Sequence, residues 1–124
     1  MTAMALIEIV KPDFTFTDDR GTLTQLVHGG YSQVNAVYTR AGAVRGRFHY
    51  HKENSETFFI IAGRVLVRAE RDGEKEEYTF STGDMFTVNP FVRHDFKYLE
   101  DTYLVGMYSG CVEKPDGTKD IYED

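Results

Sequence analysis

Short runs of alternating apolar and polar residues fill almost the whole chain, each closed by a turn signal. Alternation with period two is the mark of strands with one buried face. The first run, residues 6–10, is stopped by Pro12. Phe14 and Phe16 then alternate with Thr15 and Thr17 as far as a turn at Asp18-Asp19-Arg20-Gly21. Further strands are expected at 22–27, 34–39, 47–51, 57–62, 64–71, 76–80, 85–88, 95–99 and 102–109. Asp72-Gly73 marks a hairpin and Gly63 a tight bend, while Gly29-Gly30 and Ser81-Thr82-Gly83-Asp84 break the pattern elsewhere. No stretch keeps a helical period. Many short strands with a turn about every 8–12 residues read as all-β, a small antiparallel β-barrel or a sandwich. A barrel of that size encloses one small ligand.

The apolar segment 1–10 has no hairpin partner nearby, and an unpaired apolar edge invites association. A homodimer is therefore expected, with the N-terminal strands of residues 1–17 exchanged between copies. The acidic tail, residues 116–124, reads equally as a helix turn, an added strand or disorder.

Composition sets limits on what this fold can do. The chain has 124 residues, one domain with room for a core, and 41% of it is hydrophobic. Lys and Arg total 14 against 20 Asp and Glu, so the net charge is −6, which disfavours nucleic acid and anionic membranes as partners. No apolar run reaches membrane-spanning length, and no secretory signal opens the chain. The single cysteine, Cys111, excludes an internal disulfide and fits a cytoplasmic protein.

The candidate chemistry lies in Arg47-Phe48-His49-Tyr50-His51-Lys52-Glu53-Asn54-Ser55-Glu56, with His94 far downstream. On a regular strand Arg47, His49 and His51 share one face, and a turn through 52–55 returns Glu56 beside them. His49, His51, Glu56 and His94 then form a three-histidine, one-carboxylate shell suited to a divalent metal: Zn²⁺, Fe²⁺, Ni²⁺ or Mn²⁺.

The spacing His49-x-His51, four residues to Glu56 and six more to Gly63 resembles the first motif of the cupin superfamily. Gly83-Asp84 with His94 resembles the second, with Asn89 where proline is usual and Tyr98 where asparagine is usual. The resemblance implies a double-stranded β-helix, the cupin jelly roll, and metal ligation by those four residues.

The Asp18-Asp19-Arg20-Gly21 turn and the Arg45-Gly46-Arg47-Phe48-His49-Tyr50-His51 strand narrow it further. They resemble the dTDP-4-dehydrorhamnose 3,5-epimerase-like group, the sugar 3,4-ketoisomerases and the C-terminal cupin domain of capsular-polysaccharide reductases. That resemblance implies an isomerase or epimerase acting on a nucleotide-diphosphate 4-keto-6-deoxy sugar, in surface-polysaccharide or antibiotic-sugar synthesis, by proton transfer through an enediolate. His49 or His51 is the expected base. Tyr103 is the expected acid, ahead of Tyr38 and Tyr108. Arg20, Arg45, Arg47 and Arg64 are candidates for the diphosphate, Arg47 foremost because it shares the histidine face. The epimerases of the group work without metal, so a metal-free pair of His49 and His51 is the second mechanism. A small-molecule oxygenase and a ligand-binding cupin without chemistry are the other functional readings.

Overall fold

The computed structural model describes residues 5–123, and among these it contains strands and turns but no helix. Eleven strands are present: β1 Ile7–Val10, β2 Phe14–Asp18, β3 Gly21–Gln25, β4 Gln33–Thr39, β5 Val44–His49, β6 Glu56–Ala62, β7 Arg64–Arg71, β8 Glu74–Ser81, β9 Met85–Val88, β10 Arg93–Tyr98 and β11 Thr102–Tyr108. They form a five-stranded sheet in the order β1-β9-β6-β11-β4, a four-stranded sheet in the order β5-β10-β7-β8, and a separate two-stranded ribbon, β2-β3. All the strand pairs are antiparallel. The expected antiparallel double-sheet architecture is what the chain adopts.

The core lies between the two large sheets. Phe58, Ile60, Phe86, Val88 and Leu104 come from one sheet, and Val65, Val67, Phe80, Phe96 and Tyr98 from the other; all are buried. Phe80 stacks on Phe86 at 4.0 Å and 5°, and Phe58 meets Phe96 edge-on at 4.8 Å. These ring pairs add orientation to the burial of large apolar areas. They fill one half of the interior and leave the other half for polar groups.

The described part of segment 1–10 finds a partner in its own chain: Ile7 to Val10 pairs with β9 as the outermost strand of the five-stranded sheet, and Glu76 accepts hydrogen bonds from the Leu6 and Ile7 amides at 2.9 and 3.2 Å. Residues 1–4 lie outside the described residues. Exposed apolar surface lies at Ile9 of β1 and, as a continuous face, on the ribbon. There Thr15 faces Thr24 and Thr17 faces Thr22 on one side, while Phe14, Phe16 and Leu23 sit on the other, each at least 50% exposed. No helix in the described residues is long and apolar enough to cross a membrane.

Gly63 makes the bend between β6 and β7 with φ of +120°, and a Cβ there would meet Thr102 Oγ1 at 2.4 Å and the Asp101 carbonyl oxygen at 2.6 Å. Strain and overpacking act together at this point. Gly63→Ala is expected to lower the unfolding free energy by about 3 kcal/mol, read as a shift of the urea midpoint with unchanged slope.

Candidate metal centre

The local backbone of β5 decides which side chains enter the interior. His49 pairs with His94 and Arg45 with Phe96, so Gly46, Arg47 and Phe48 all stand opposite Asp95. The two extra residues are absorbed by left-handed backbone: φ is +106° at Gly46, +46° at Arg47 and +55° at Phe48. Such a bulge re-aims side chains. Gly46 is required because a Cβ would lie 2.9 Å from the His94 carbonyl oxygen. Outside the barrel, Phe48 packs under the Arg68 guanidinium, 5.1 Å from its centroid. Arg68 in turn grips the buried Asp95 through two hydrogen bonds, one of 2.9 and one of 2.5 Å. This outer clamp holds the strained segment in place.

The bulge corrects the face assignment made from alternation. Arg47 is exposed and does not line the interior cavity, whereas Arg45 does. Arg45 is held there by a 2.8 Å bond from Nε to Thr39 Oγ1. Arg20 sits at the tip of the ribbon, 83% exposed and paired with Asp18 at 2.6 Å. Arg64 pairs with Glu100 at 3.1 Å and does not line the cavity. The four arginines therefore do not form one cluster.

His49, His51, Glu56 and His94 do come together, each offering one donor atom within 4.8 Å of the others. Three backbone carbonyls set their chemistry. His49 Nδ1 bonds the Gly46 carbonyl oxygen at 2.5 Å, His51 Nδ1 that of Asp120 at 2.5 Å, and His94 Nδ1 that of Val92 at 2.9 Å. A carbonyl only accepts, so each Nδ1 carries the proton and each neutral ring presents Nε2 as a lone pair. All three Nε2 atoms converge on Glu56 Oε1: His94 at 3.1 Å, His49 at 4.0 Å and His51 closer than either.

This arrangement calls for positive charge at its middle. Lone pairs facing a carboxylate repel it, and protons on the rings or one divalent cation would remove the repulsion. His51 Nε2 is buried and, although it abuts Glu56, has no partner in hydrogen-bonding geometry. An orphaned, inward-aimed imidazole nitrogen beside a buried carboxylate is a pair that a divalent ion between them would satisfy. The donor set thus fits a divalent ion.

Electrostatics separate the four. Burial first, and then the imidazole of His94 beside it, lowers the His49 pKa and favours the neutral ring. Burial alone would lower His51 too, but Glu56 outweighs it and the net shift is upward. Burial pushes Glu56 up, yet contact with His51 and His94 holds it well below the ordinary carboxylate value.

A cavity of about 170 Å³ opens beside the cluster. Val37, Phe58, Phe96 and Leu104 give it apolar walls, and Arg45, His49, Tyr98 and Tyr108 give it polar points. Tyr103 is absent from this set. It is 53% exposed on the outer face and packs against Tyr38 at 4.7 Å. The inward tyrosine of β11 is Tyr108, the register partner of Glu56. Burial first, and then the Glu56 charge and hydrogen bond, raise its pKa and keep the phenol protonated. A larger surface cleft of about 300 Å³, between Tyr50, Phe91 and the β7–β8 turn, contains none of the four cluster residues.

One group had no sequence signal at all. Asp120, in the tail, is fully buried and accepts backbone bonds from Lys52, Glu53 and Asn54 at 2.8, 3.0 and 3.1 Å, and one from Asn54 Nδ2 at 2.8 Å. The tail is neither a helix turn nor disordered over its described part. It folds back on itself through the Glu113–Lys119 bridge and docks on the rest of the chain through the Tyr50–Tyr122 bridge.

The cupin domain family matches residues 37–107. A curated relative, 3-hydroxyanthranilate 3,4-dioxygenase of Burkholderia cenocepacia, is 29% identical over 92 residues, 70% of this chain and 49% of the relative. The chain thus spans about half the length of the curated relative it matches. Among solved structures, dTDP-4-dehydrorhamnose 3,5-epimerase from Sulfolobus tokodaii superposes with a TM-score of 0.76 at 23% identity, over 94% of this chain and 77% of that one. A sugar 3,4-ketoisomerase from Thermoanaerobacterium thermosaccharolyticum, in complex with TDP, gives 0.81 at 17% identity, over 98% and 90%. A 3,4-ketoisomerase from Helicobacter canadensis gives 0.79 at 15% identity, over 95% and 90%. At these identities the likeness is one of fold.

Purified protein reconstituted with Zn²⁺, Fe²⁺, Ni²⁺ or Mn²⁺ is expected to retain one ion per chain after dialysis, by elemental analysis. His51→Ala and Glu56→Gln should each weaken retention by about 100-fold or more, since even residues behind the ligands commonly contribute 10–100-fold. Wild-type protein that retains none of the four ions sinks the ligand assignment.

Proposed function

The chain belongs to the cupin domain family, and we propose that it is a metal-binding cupin that isomerises or epimerises a nucleotide-linked 4-keto-6-deoxy sugar. The observation that carries this reading is the convergence of three carbonyl-fixed imidazoles and Glu56 beside a cavity furnished with a protonated tyrosine and an arginine. The fold likeness to sugar-nucleotide epimerases and ketoisomerases supports the substrate class. A divalent ion held by His49, His51, Glu56 and His94 would supply Lewis-acid chemistry toward a keto oxygen.

The residues divide the remaining work. His51, Glu56 and His94 are almost fully buried, whereas His49 is 21% exposed and lines the cavity. His49, neutral and farthest from the carboxylate, is the member that can exchange toward substrate and take the proton from the carbon beside the ketone. Tyr108, kept protonated, returns a proton to the enolate at the neighbouring position or the opposite face. One proton leaves and one returns, so no co-reactant is consumed. The cavity is smaller than the roughly 300–1,000 Å³ that engulf a drug-sized ligand, so it would take the sugar end alone. Arg45 would orient that end, held by Thr39.

Incubation with 4-keto-6-deoxy sugar nucleotides in D₂O is expected to place deuterium beside the keto carbon. Tyr108→Phe and His49→Ala should each lower kcat about 10²–10⁴-fold. His49→Ala should keep most of the bound metal, whereas His51→Ala loses both metal and turnover. Tyr103→Phe and Arg47→Ala should stay within twofold of wild type. Absence of exchange with every such sugar, together with oxygen uptake by the Fe²⁺ form on a small aromatic acid, would transfer the assignment to the oxygenase reading that the dioxygenase relative represents.

The same reading includes a homodimer, its contact the bare Phe14, Phe16 and Leu23 face of the ribbon. A two-stranded ribbon alone is marginal in water, and covering this face by a second copy offsets its exposure. Light scattering should give twice the chain mass, and Phe16→Asp with Leu23→Asp should give the monomer; a monomeric wild type overturns this part.

A further inference from the structure

We propose that Asp120 is a positioning residue for the metal centre, holding His51 with Nε2 aimed at Glu56. The inference rests on the metal-binding part of the reading above. The three histidines do not obtain their Nδ1 acceptors in the same way. His49 and His94 use carbonyls three and two residues back along the chain, Gly46 within β5 and Val92 just before β10, so these rings are set locally. His51 uses the carbonyl of Asp120, 69 residues further along the chain. His51 also lies beyond the end of β5, outside its ladder. Its backbone carbonyl is held by the Phe91 amide at 2.7 Å, but its ring depends on the tail.

The tail is built to bring that carbonyl into place. It folds back on itself between Val112 and Asp120, where the Asp120 amide donates to the Val112 carbonyl oxygen at 2.9 Å. The Asp120 carboxylate then collects the amides of Lys52, Glu53 and Asn54, the three residues that follow His51. One residue thus grips the loop with its side chain and the ring with its main chain. Asn54 Oδ1 in turn accepts from Gly110 at 2.7 Å, tying the same loop to the segment after β11. A cap needed only for stability would have no reason to orient an imidazole nitrogen toward a carboxylate, and this one does both.

The test compares full-length wild type with Asp120→Asn and Asp120→Ala, titrated with Co²⁺ and followed by its visible absorption. Asp120→Asn keeps the volume and one acceptor oxygen, so it remains folded where alanine fails. The expected result is a 10–100-fold weaker Co²⁺ affinity and an altered absorption band in the variants. In the metal-free protein, long-range ¹H–¹⁵N spectra should show His51 leaving the Nδ1–H tautomer while His49 and His94 keep it. Val65→Ala, a core variant remote from the cluster, should lose thermal stability and retain wild-type affinity. Asp120 variants that titrate like wild type with an unchanged His51 tautomer, while melting earlier, overturn the proposal and leave the metal reading standing. A wild type that binds no Co²⁺ overturns both.

Discussion

A buried carboxylate that receives three imidazole nitrogens is the constraint from which the rest of the structure follows. Placing Glu56 in the interior is costly unless its charge is met, and an apolar core of equal volume would be the more stable choice. Stability alone does not account for such a cluster. To work, it needs all three Nε2 lone pairs to point inward, which requires three acceptors for the Nδ1 protons. A bulge, a local turn and a distant tail each provide one. The aromatic half of the core, stacked around Phe86, supplies the rigidity against which these devices are set.

The same logic explains what could be read in the sequence. Alternation and turn residues located nearly every strand, including β9 to the residue, because those strands pair regularly with their neighbours. The four-ligand set was legible as spacing, since a motif needs only its residues at fixed intervals and not knowledge of the backbone between them. The face of Arg47 was not legible. Alternation presumes extended backbone, and Gly46, Arg47 and Phe48 are left-handed. Nothing in those three letters announces a bulge except the glycine.

Long-range register hid the remaining parts. On β11 alternation yields two faces, one with Tyr103 and one with Tyr108, without saying which is inward. Pairing of Tyr108 with Glu56 decides it, across more than fifty positions of chain. Asp120 was invisible for the same reason: its partners, Lys52 to Asn54, lie 66–68 residues away, and an aspartate in an acidic tail looks like surface. Residues whose role depends on distant partners stay silent in a single sequence, whereas residues that recur at fixed spacing do not.

The exposures within the cluster impose a direction on whatever reaches it. His49, at 21% exposed, is the most open of the four members; Glu56 and His94, nearly buried, border the same cavity, and His51 does not. A substrate atom would reach the centre through this cavity, past Tyr108 and Arg45. The reacting group must then be small, polar and flanked by apolar surface that can rest on Val37, Phe96 and Leu104. The ketone of a 4-keto-6-deoxy sugar, with the ring carbons beside it and the methyl group beyond, has that profile, and a bulky phosphate does not. Arg20 and Arg64 lie outside this path, so recognition of a diphosphate would be separate from the chemistry. The centre would act on the keto group, while the handle that delivers it stays outside the barrel.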